Sequence, residues 1–190
     1  IRRSKALPPK VPVVVGMEDV CASGCYNIAS DADTIYANPS SLVGSIGVIS
    51  GGFGFTGLMD KLGVERRMKT AGANKGMGDP FSPETPEQNA IWQSMLTDIH
   101  KQFVDAVKLG RGKKIDDVKN PDVFSGRVYT GDQGKQVGLV DEFGSVYSVS
   151  RDVFKAPEMV NYTPKDDFST SSGRQFGMQM KSAADTLTLP

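Results

Sequence analysis

Three residue types on which many enzymes rely are scarce in this chain. Its 190 residues include one histidine, two cysteines and one tryptophan. Because His100 is the only imidazole, a Ser-His-Asp triad has a single candidate base and a histidine-based zinc site lacks ligands. His100 also lies at the edge of an apolar helix stripe, which favours a structural role. No carboxylate cluster and no phosphate-binding loop is present, so we expect neither a metal nor a cofactor.

Excess charge and long apolar runs are absent as well. The chain carries 22 basic and 22 acidic residues, so no net charge steers it toward nucleic acid. No apolar stretch approaches the roughly 20 residues that a membrane-spanning helix needs. The sequence begins with Ile1 rather than Met. We therefore expect a fragment or a processed product, and membrane association through a segment outside this chain stays open.

The two cysteines stand four positions apart, at Cys21 and Cys25. This spacing differs from the C-x-x-C of redox motifs, and two thiols cannot complete a structural zinc site. Both would share one face of a helix. The sequence predicts a pair of buried free thiols.

Strand-like and helix-like segments alternate along the chain, which predicts an α/β fold with right-handed crossovers. The predicted strands cover residues 11–15, 34–37, 43–50 and 64–69, and short helices cover 23–29 and 55–61. A long helix begins at the capping box around Thr85 and is stopped by Gly110 and Gly112. Its predicted inward stripe consists of Ile91, Met95, Ile99, Phe103 and Val107. We expect residues 1–163 to form the core and residues 164–190, which are rich in Ser, Thr, Gly, Gln and Lys, to form a polar tail.

A small serine between a strand and a helix is the first candidate for chemistry. Ser23 follows the run Cys21-Ala22 and precedes Gly24, so its hydroxyl could lie beside helix N–H groups that stabilise an oxyanion. A helix N-cap is the structural alternative for this serine. Since histidine is so scarce, the remaining nucleophilic option is a Ser–Lys dyad.

Lys75 is the candidate base, because it lies in the Gly-rich loop 71–76. A lysine accepts a proton only as the neutral amine, which desolvation favours. Ser45, in the run Gly44-Ser45-Ile46, could orient that amine. The alternatives are a solvated loop lysine and a serine that only satisfies a strand end.

Three linked motifs resemble the S49 peptidases, the signal peptide peptidase A and SohB family. They are Ala22-Ser23-Gly24-Cys25-Tyr26 with the stretch 32–39, Gly44-Ser45-Ile46-Gly47-Val48, and Thr70-Ala71-Gly72-Ala73-Asn74-Lys75. Lys75 follows Ser23 by 52 positions (75 − 23), as in single-domain bacterial members. Residues 125–131 and 138–142 are similar to the family's late signature, so the likeness covers roughly residues 11–147.

The resemblance implies a ClpP/crotonase-like α/β fold of repeated β-β-α units in a single domain. It implies Ser23 as nucleophile, Lys75 as general base, Ser45 as the lysine's partner and Gly24 as an oxyanion donor. Family members assemble into homo-oligomeric rings, and in some the serine and the lysine come from adjacent subunits. The implied substrates are membrane-derived peptides such as cleaved signal peptides, with small or apolar residues near the cut. The implied location is the membrane, on its extracytoplasmic face.

The function predicted on this basis is that of a serine endopeptidase. The sequence departs from the family at Cys25, where a glycine is usual, and at Asn74, where an aromatic residue often stands. The family's upstream oxyanion turn is expected before Ile1. These departures motivate an alternative, a catalytically silent oligomeric scaffold of the same fold. A phage capsid maturation protease of the same family is a further alternative, whereas crotonase-type acyl-CoA chemistry needs no Ser–Lys pair.

Overall fold

The computed structural model describes residues 11–163 of the chain. The chain divides into two compact units, Ile1–Lys155 and Ala156–Pro190. Every helix and strand described below lies in the first unit. The predicted polar tail at 164–190 lies outside the described residues.

Two three-stranded sheets carry the fold. The first has the order β1-β3-β6, with all neighbours parallel, and the second has the order β2-β4-β5, in which β4 and β5 are antiparallel. The strands are β1 (Val14–Met17), β2 (Val20–Ala22), β3 (Thr34–Ala37), β4 (Leu42–Gly44), β5 (Val128–Thr130) and β6 (Glu142–Phe143). The fold is therefore mixed α/β, as the alternation of segments predicts.

Helices of very different length lie between and after these strands. They are α1 (Gly24–Ala29), α2 (Thr56–Leu62), α3 (Pro86–Arg111), α4 (Gly131–Gln136) and α5 (Val146–Ser148), and 3₁₀ turns cover Gly112–Lys114 and Pro121–Phe124. A π-helical turn, Val149–Val153, follows α5. The capping box predicted at Thr85 is present, since Thr85 and Gln88 bond each other's backbone N–H.

Long helix α3 packs on the sheets through its C-terminal half. Phe103 and Val107 are buried as the stripe predicts, and they join a core that includes Tyr26, Ile35 and Val43. Met95 and Ile99 remain exposed. Ile91, at the start of the predicted stripe, is half-buried. The fully buried part of the stripe is thus limited to its last two residues.

One buried arginine fixes the end of α3 against the first sheet. The Arg111 guanidinium is fully buried and donates to both carboxylate oxygens of Asp141, at 2.9 and 3.0 Å, and to the Gly138 carbonyl. Asp141 also accepts from the Ile35 N–H at 2.8 Å. Because Ile35 lies in β3, this network couples the last turn of α3 to the sheet beside β6.

Two strand predictions differ from the structure. The strand predicted at 43–50 ends at Gly44, since Gly44 and Ser45 both have positive φ, at 83° and 52°. The strand predicted at 64–69 is wrong, because that segment is exposed and has no regular structure. The first strand begins three residues later than predicted and runs to Met17.

Candidate active site

The ends of two paired strands bring two of the predicted residues together. Strands β2 and β4 run parallel, with Ala22 opposite Gly44. Ser23 and Ser45 come directly after these residues, so both serines leave the same edge of the sheet. The Ser23 N–H donates to the Gly44 carbonyl at 2.8 Å, which extends the pairing by one residue.

Ser23 holds a backbone conformation that is rare for a residue with a side chain. Its φ is 53° and its ψ is −121°, whereas left-handed conformations normally favour glycine. Ser23 occupies the N-cap position of α1, yet its side chain accepts no hydrogen bond from the helix. The Ser23 hydroxyl therefore does not cap α1, and the N-cap role considered as an alternative does not explain a serine at this position.

A disulfide joins Cys21 to Cys25, across Ser23. The prediction of two free thiols is therefore wrong. It failed because a five-residue segment that turns from a strand into a helix brings the two Cα atoms to 5.0 Å, within the range a disulfide requires. Cys21 is buried in β2, and Cys25 is exposed in the first turn of α1.

Ser23, Gly24 and Ser45 line one cleft of about 900 Å³. Its apolar lining comes from Val48 and Ile49 in the irregular segment after β4 and from Ile99 and Phe103 on α3. The full lining also includes Asn27, Gly47, His100, Gln102, Ser125 and Gly126. A cleft of this size accommodates several residues of an extended peptide.

Gly24 stands where an anion-stabilising donor is predicted. It is the first residue of α1, and a side chain added there would meet no atom within 4 Å. Backbone N–H groups in the first turn of a helix have no intrahelical acceptor. The Gly24 N–H is therefore a suitable donor for a developing oxyanion beside Ser23.

Two features of the cleft were not assigned to the site by sequence reasoning. His100 lines the cleft, with Nε2 3.1 Å from the Ile46 carbonyl, so it fixes the backbone of the segment that follows Ser45. Gly47 and Gly126 form a close backbone crossing, since a Cβ on Gly47 would lie 2.8 Å from the Gly126 Cα. Only the glycine-rich composition of both segments gave a signal for this crossing.

Lys75 lies apart from the other three predicted residues. It is exposed in a turn, where its backbone N–H donates to the Gly72 carbonyl at 3.2 Å. Among the described residues, those lining the Ser23 cleft do not include Lys75. The single chain thus brings together Ser23, Gly24 and Ser45 and leaves the predicted base outside.

The part of the chain that the structure describes contains no group of three or more His, Cys, Asp or Glu side chains suited to a metal. Over residues 11–163, no helix is both long and apolar enough to cross a bilayer.

Sequence comparison identifies the kind of protein to which this site belongs. The profile of "Peptidase family S49" matches residues 5–158. The "Putative protease MJ0651" of Methanocaldococcus jannaschii is 39% identical over 144 residues, which cover 76% of this chain and 46% of that protein. The "Putative signal peptide peptidase SppA" of Enterococcus faecium is 35% identical over 134 residues, covering 70% of this chain and 38% of that protein.

A third relative carries a different name. A Brucella abortus protein named "Na(+)/H(+) antiporter NhaA" is 46% identical over 152 residues, which cover 80% of this chain and 20% of that protein. The chain thus spans between a fifth and about half of the length of these relatives. Its profile match extends over most of its own length, and the chain belongs to peptidase family S49. The predicted family is confirmed.

Proposed function

We propose that this protein is a serine endopeptidase in which Ser23 and Lys75 form a catalytic dyad. The neutral Lys75 amine takes the Ser23 proton, and the Ser23 oxygen attacks a peptide carbonyl. The Gly24 N–H stabilises the oxyanion, and the protonated lysine then gives its proton to the leaving amine. Water hydrolyses the resulting ester, and Ser45 holds the lysine amine in place. The observation that carries the proposal is that the Ser23 hydroxyl lies at a strand end without capping α1, and that Ser23 shares one cleft with Ser45.

The proposal places Lys75 of one subunit in the cleft of its neighbour. Its support is that Lys75 is exposed and absent from the described lining of its own chain's cleft. A lysine that reaches a neighbour's cleft would lose its water there, which favours the neutral amine.

An exposed apolar segment supports the assembly that such a dyad requires. Between residues 51 and 75, all residues except Thr56 and Met59 are exposed. Phe53 is 82% exposed and Leu62 is 68% exposed. Phe55 stacks on Phe81, with ring centroids 5.5 Å apart. Exposed apolar surface of this extent is typical of a protein–protein contact, and we propose a homo-oligomeric ring of ClpP/crotonase-like subunits.

The proposed substrates are membrane-derived peptides such as cleaved signal peptides. Support comes from the apolar cleft wall, where Ile49 is 92% exposed and Ile99 is 50% exposed, so an apolar substrate side chain gains burial there. We also propose a location at the membrane on its extracytoplasmic face, because disulfides such as Cys21–Cys25 persist in oxidising compartments.

Active-site labelling of the full-length protein tests the dyad. A fluorophosphonate should label the native oligomer at Ser23, as identified by peptide mapping, and Ser23→Ala should remove the label. Lys75→Ala should lower the labelling rate by at least about 100-fold, the size typical of losing a general base. Lys69→Ala is the matched control, since Lys69 is an exposed lysine of the same segment. Labelling elsewhere, or equal rates for both lysine variants, would refute the dyad, and no labelling at all would favour the silent scaffold.

A further inference from the structure

The disulfide between Cys21 and Cys25 encloses Ser23 in a covalent ring. The ring contains the last two residues of β2, then Ser23, then the first two residues of α1. One end is anchored, because Cys21 is 4% exposed and is paired with Val43 in the sheet. The other end, Cys25, is exposed. The cross-link therefore ties the exposed first turn of α1 to the buried strand β2.

Ser23 needs such a restraint more than most residues do. A non-glycine residue at φ 53° and ψ −121° is strained and persists only when its surroundings hold it there. Two hydrogen bonds contribute, from the Ser23 N–H to Gly44 at 2.8 Å and from the Asn27 N–H to Ser23 at 3.0 Å. Helix α1 has six residues, too few to be stable by itself. Without the cross-link, the turn can relax toward ordinary φ values and move the Ser23 oxygen.

We infer that the Cys21–Cys25 disulfide positions Ser23 for attack, and that its reduction lowers the reactivity of this serine. The inference rests on the proposed role of Ser23 as nucleophile. Cys21 and Cys25 act here as positioning residues, since neither sulfur takes part in peptide cleavage. The enzyme is then most reactive in an oxidising environment and is attenuated by dithiols.

The switching step is thiol–disulfide exchange with a dithiol, either a small molecule or a reductant protein. One thiolate of the dithiol attacks the Cys25 Sγ, which lies in the exposed residue of the pair. The Cys21 Sγ leaves and is protonated, and a mixed disulfide remains at Cys25. The second thiolate of the reductant then attacks the reductant sulfur of the mixed disulfide and releases Cys25 as a thiol. Two electrons and two protons pass to the protein, and the reductant becomes a disulfide.

The test measures fluorophosphonate labelling of Ser23 in both redox states of the full-length protein. The protein is purified without reductant, and half is treated with dithiothreitol; alkylation and intact mass then count the free thiols. The maximal inactivation rate (kinact) and the half-saturating probe concentration (KI) are measured for each state. The control is the double variant Cys21→Ala/Cys25→Ala, which lacks this disulfide.

The expected result is a fall in kinact of about fivefold or more on reduction, with KI and the final extent of labelling unchanged. Reoxidation should restore the rate. The double variant should react slowly with or without dithiothreitol; if it does not fold, the reversible change in the native protein still decides. An unchanged kinact with two thiols alkylated would overturn the inference, as would a rate loss matched by a loss of oligomer or of final labelling. If Ser23 is labelled in neither state, it is the proposed function that fails.

Discussion

The substitution Asp141→Asn should destabilise the fold strongly, although it replaces only one heavy atom of the side chain. Asp141 is the counter-charge of Arg111, whose side chain is fully buried. It also binds the Lys114 ammonium at 2.7 Å and the Ile35 N–H at 2.8 Å. Asp141→Asn keeps the shape and an acceptor oxygen, so the variant tests the charge rather than the packing.

The size of the effect follows from the pKa of this carboxyl. Burial by itself would raise the pKa of Asp141, but hydrogen bonds from Arg111, Lys114 and Ile35 outweigh it and lower the pKa from 3.8 to about 2. A carboxyl with a depressed pKa stabilises the fold above its unfolded pKa, and this stability is lost as the pH falls toward the folded value. The difference corresponds to about 2 kcal/mol at neutral pH. Leaving Arg111 buried without its counter-charge raises the expected cost to about 3 kcal/mol.

Urea denaturation followed by circular dichroism measures this cost. At neutral pH, Asp141→Asn should lower the free energy of unfolding by about 3 kcal/mol. The matched control is Glu142→Gln, which breaks an exposed ion pair with Lys135 and should cost less than about 1 kcal/mol. The gap between wild type and Asp141→Asn should narrow as the pH is lowered from about 5 to about 3, because Asp141 of the unfolded chain then takes up a proton while the folded carboxyl, with its pKa of about 2, stays ionised. Equal losses for the two variants, or a gap that does not change with pH, would refute this reasoning.

Three further outcomes test the assembly, the fold and the site. Phe53→Asp, in the exposed segment 51–75, should dissociate the native oligomer in sedimentation experiments and abolish peptide turnover. The control Val118→Asp changes a residue that is 88% exposed and lies outside that segment, and it should do neither. Intact oligomers of Phe53→Asp would contradict the proposed contact. Gly131→Ala should lower the free energy of unfolding by at least about 2 kcal/mol in urea denaturation, because a Cβ there would lie 2.0 Å from a backbone carbonyl oxygen. Wild-type stability of this variant would show that the two backbone segments can move apart. Ser45→Ala should lower peptide turnover less than Lys75→Ala does, and the opposite order would exchange their assigned roles.

Local signals were sufficient for a substantial part of the fold. The capping box at Thr85 predicts a helix start and the β-rich stretch 34–37 predicts a strand, and both agree with the structure. Each depends on neighbouring residues only, so it can be recognised without tertiary information. The same holds for helix α1 after Ser23, whose bounds were predicted within one residue.

Features set by distant contacts could not be predicted in the same way. The left-handed backbone at Ser23 and Ser45 depends on hydrogen bonds to Gly44, in β4, and to Arg127, just before β5. It ends β4 early. The exposed segment 64–69 has the composition of a strand, but it has no partner strand among residues 11–163. The Cys21–Cys25 disulfide could be predicted only from the geometry of the turn that brings the two residues together. In each case tertiary structure overrides a local preference.

The most direct test of a dyad shared between subunits is complementation between two inactive variants. Ser23→Ala and Lys75→Ala subunits are mixed in equal amounts, unfolded, reassembled and assayed for peptide turnover. In a ring with head-to-tail contacts, about a quarter of the junctions then pair an intact serine with an intact lysine. We predict that each variant alone is inactive and that the mixture recovers about a quarter of wild-type turnover. A mixture as inactive as its components, with wild type reassembled in parallel to full turnover, would contradict the account.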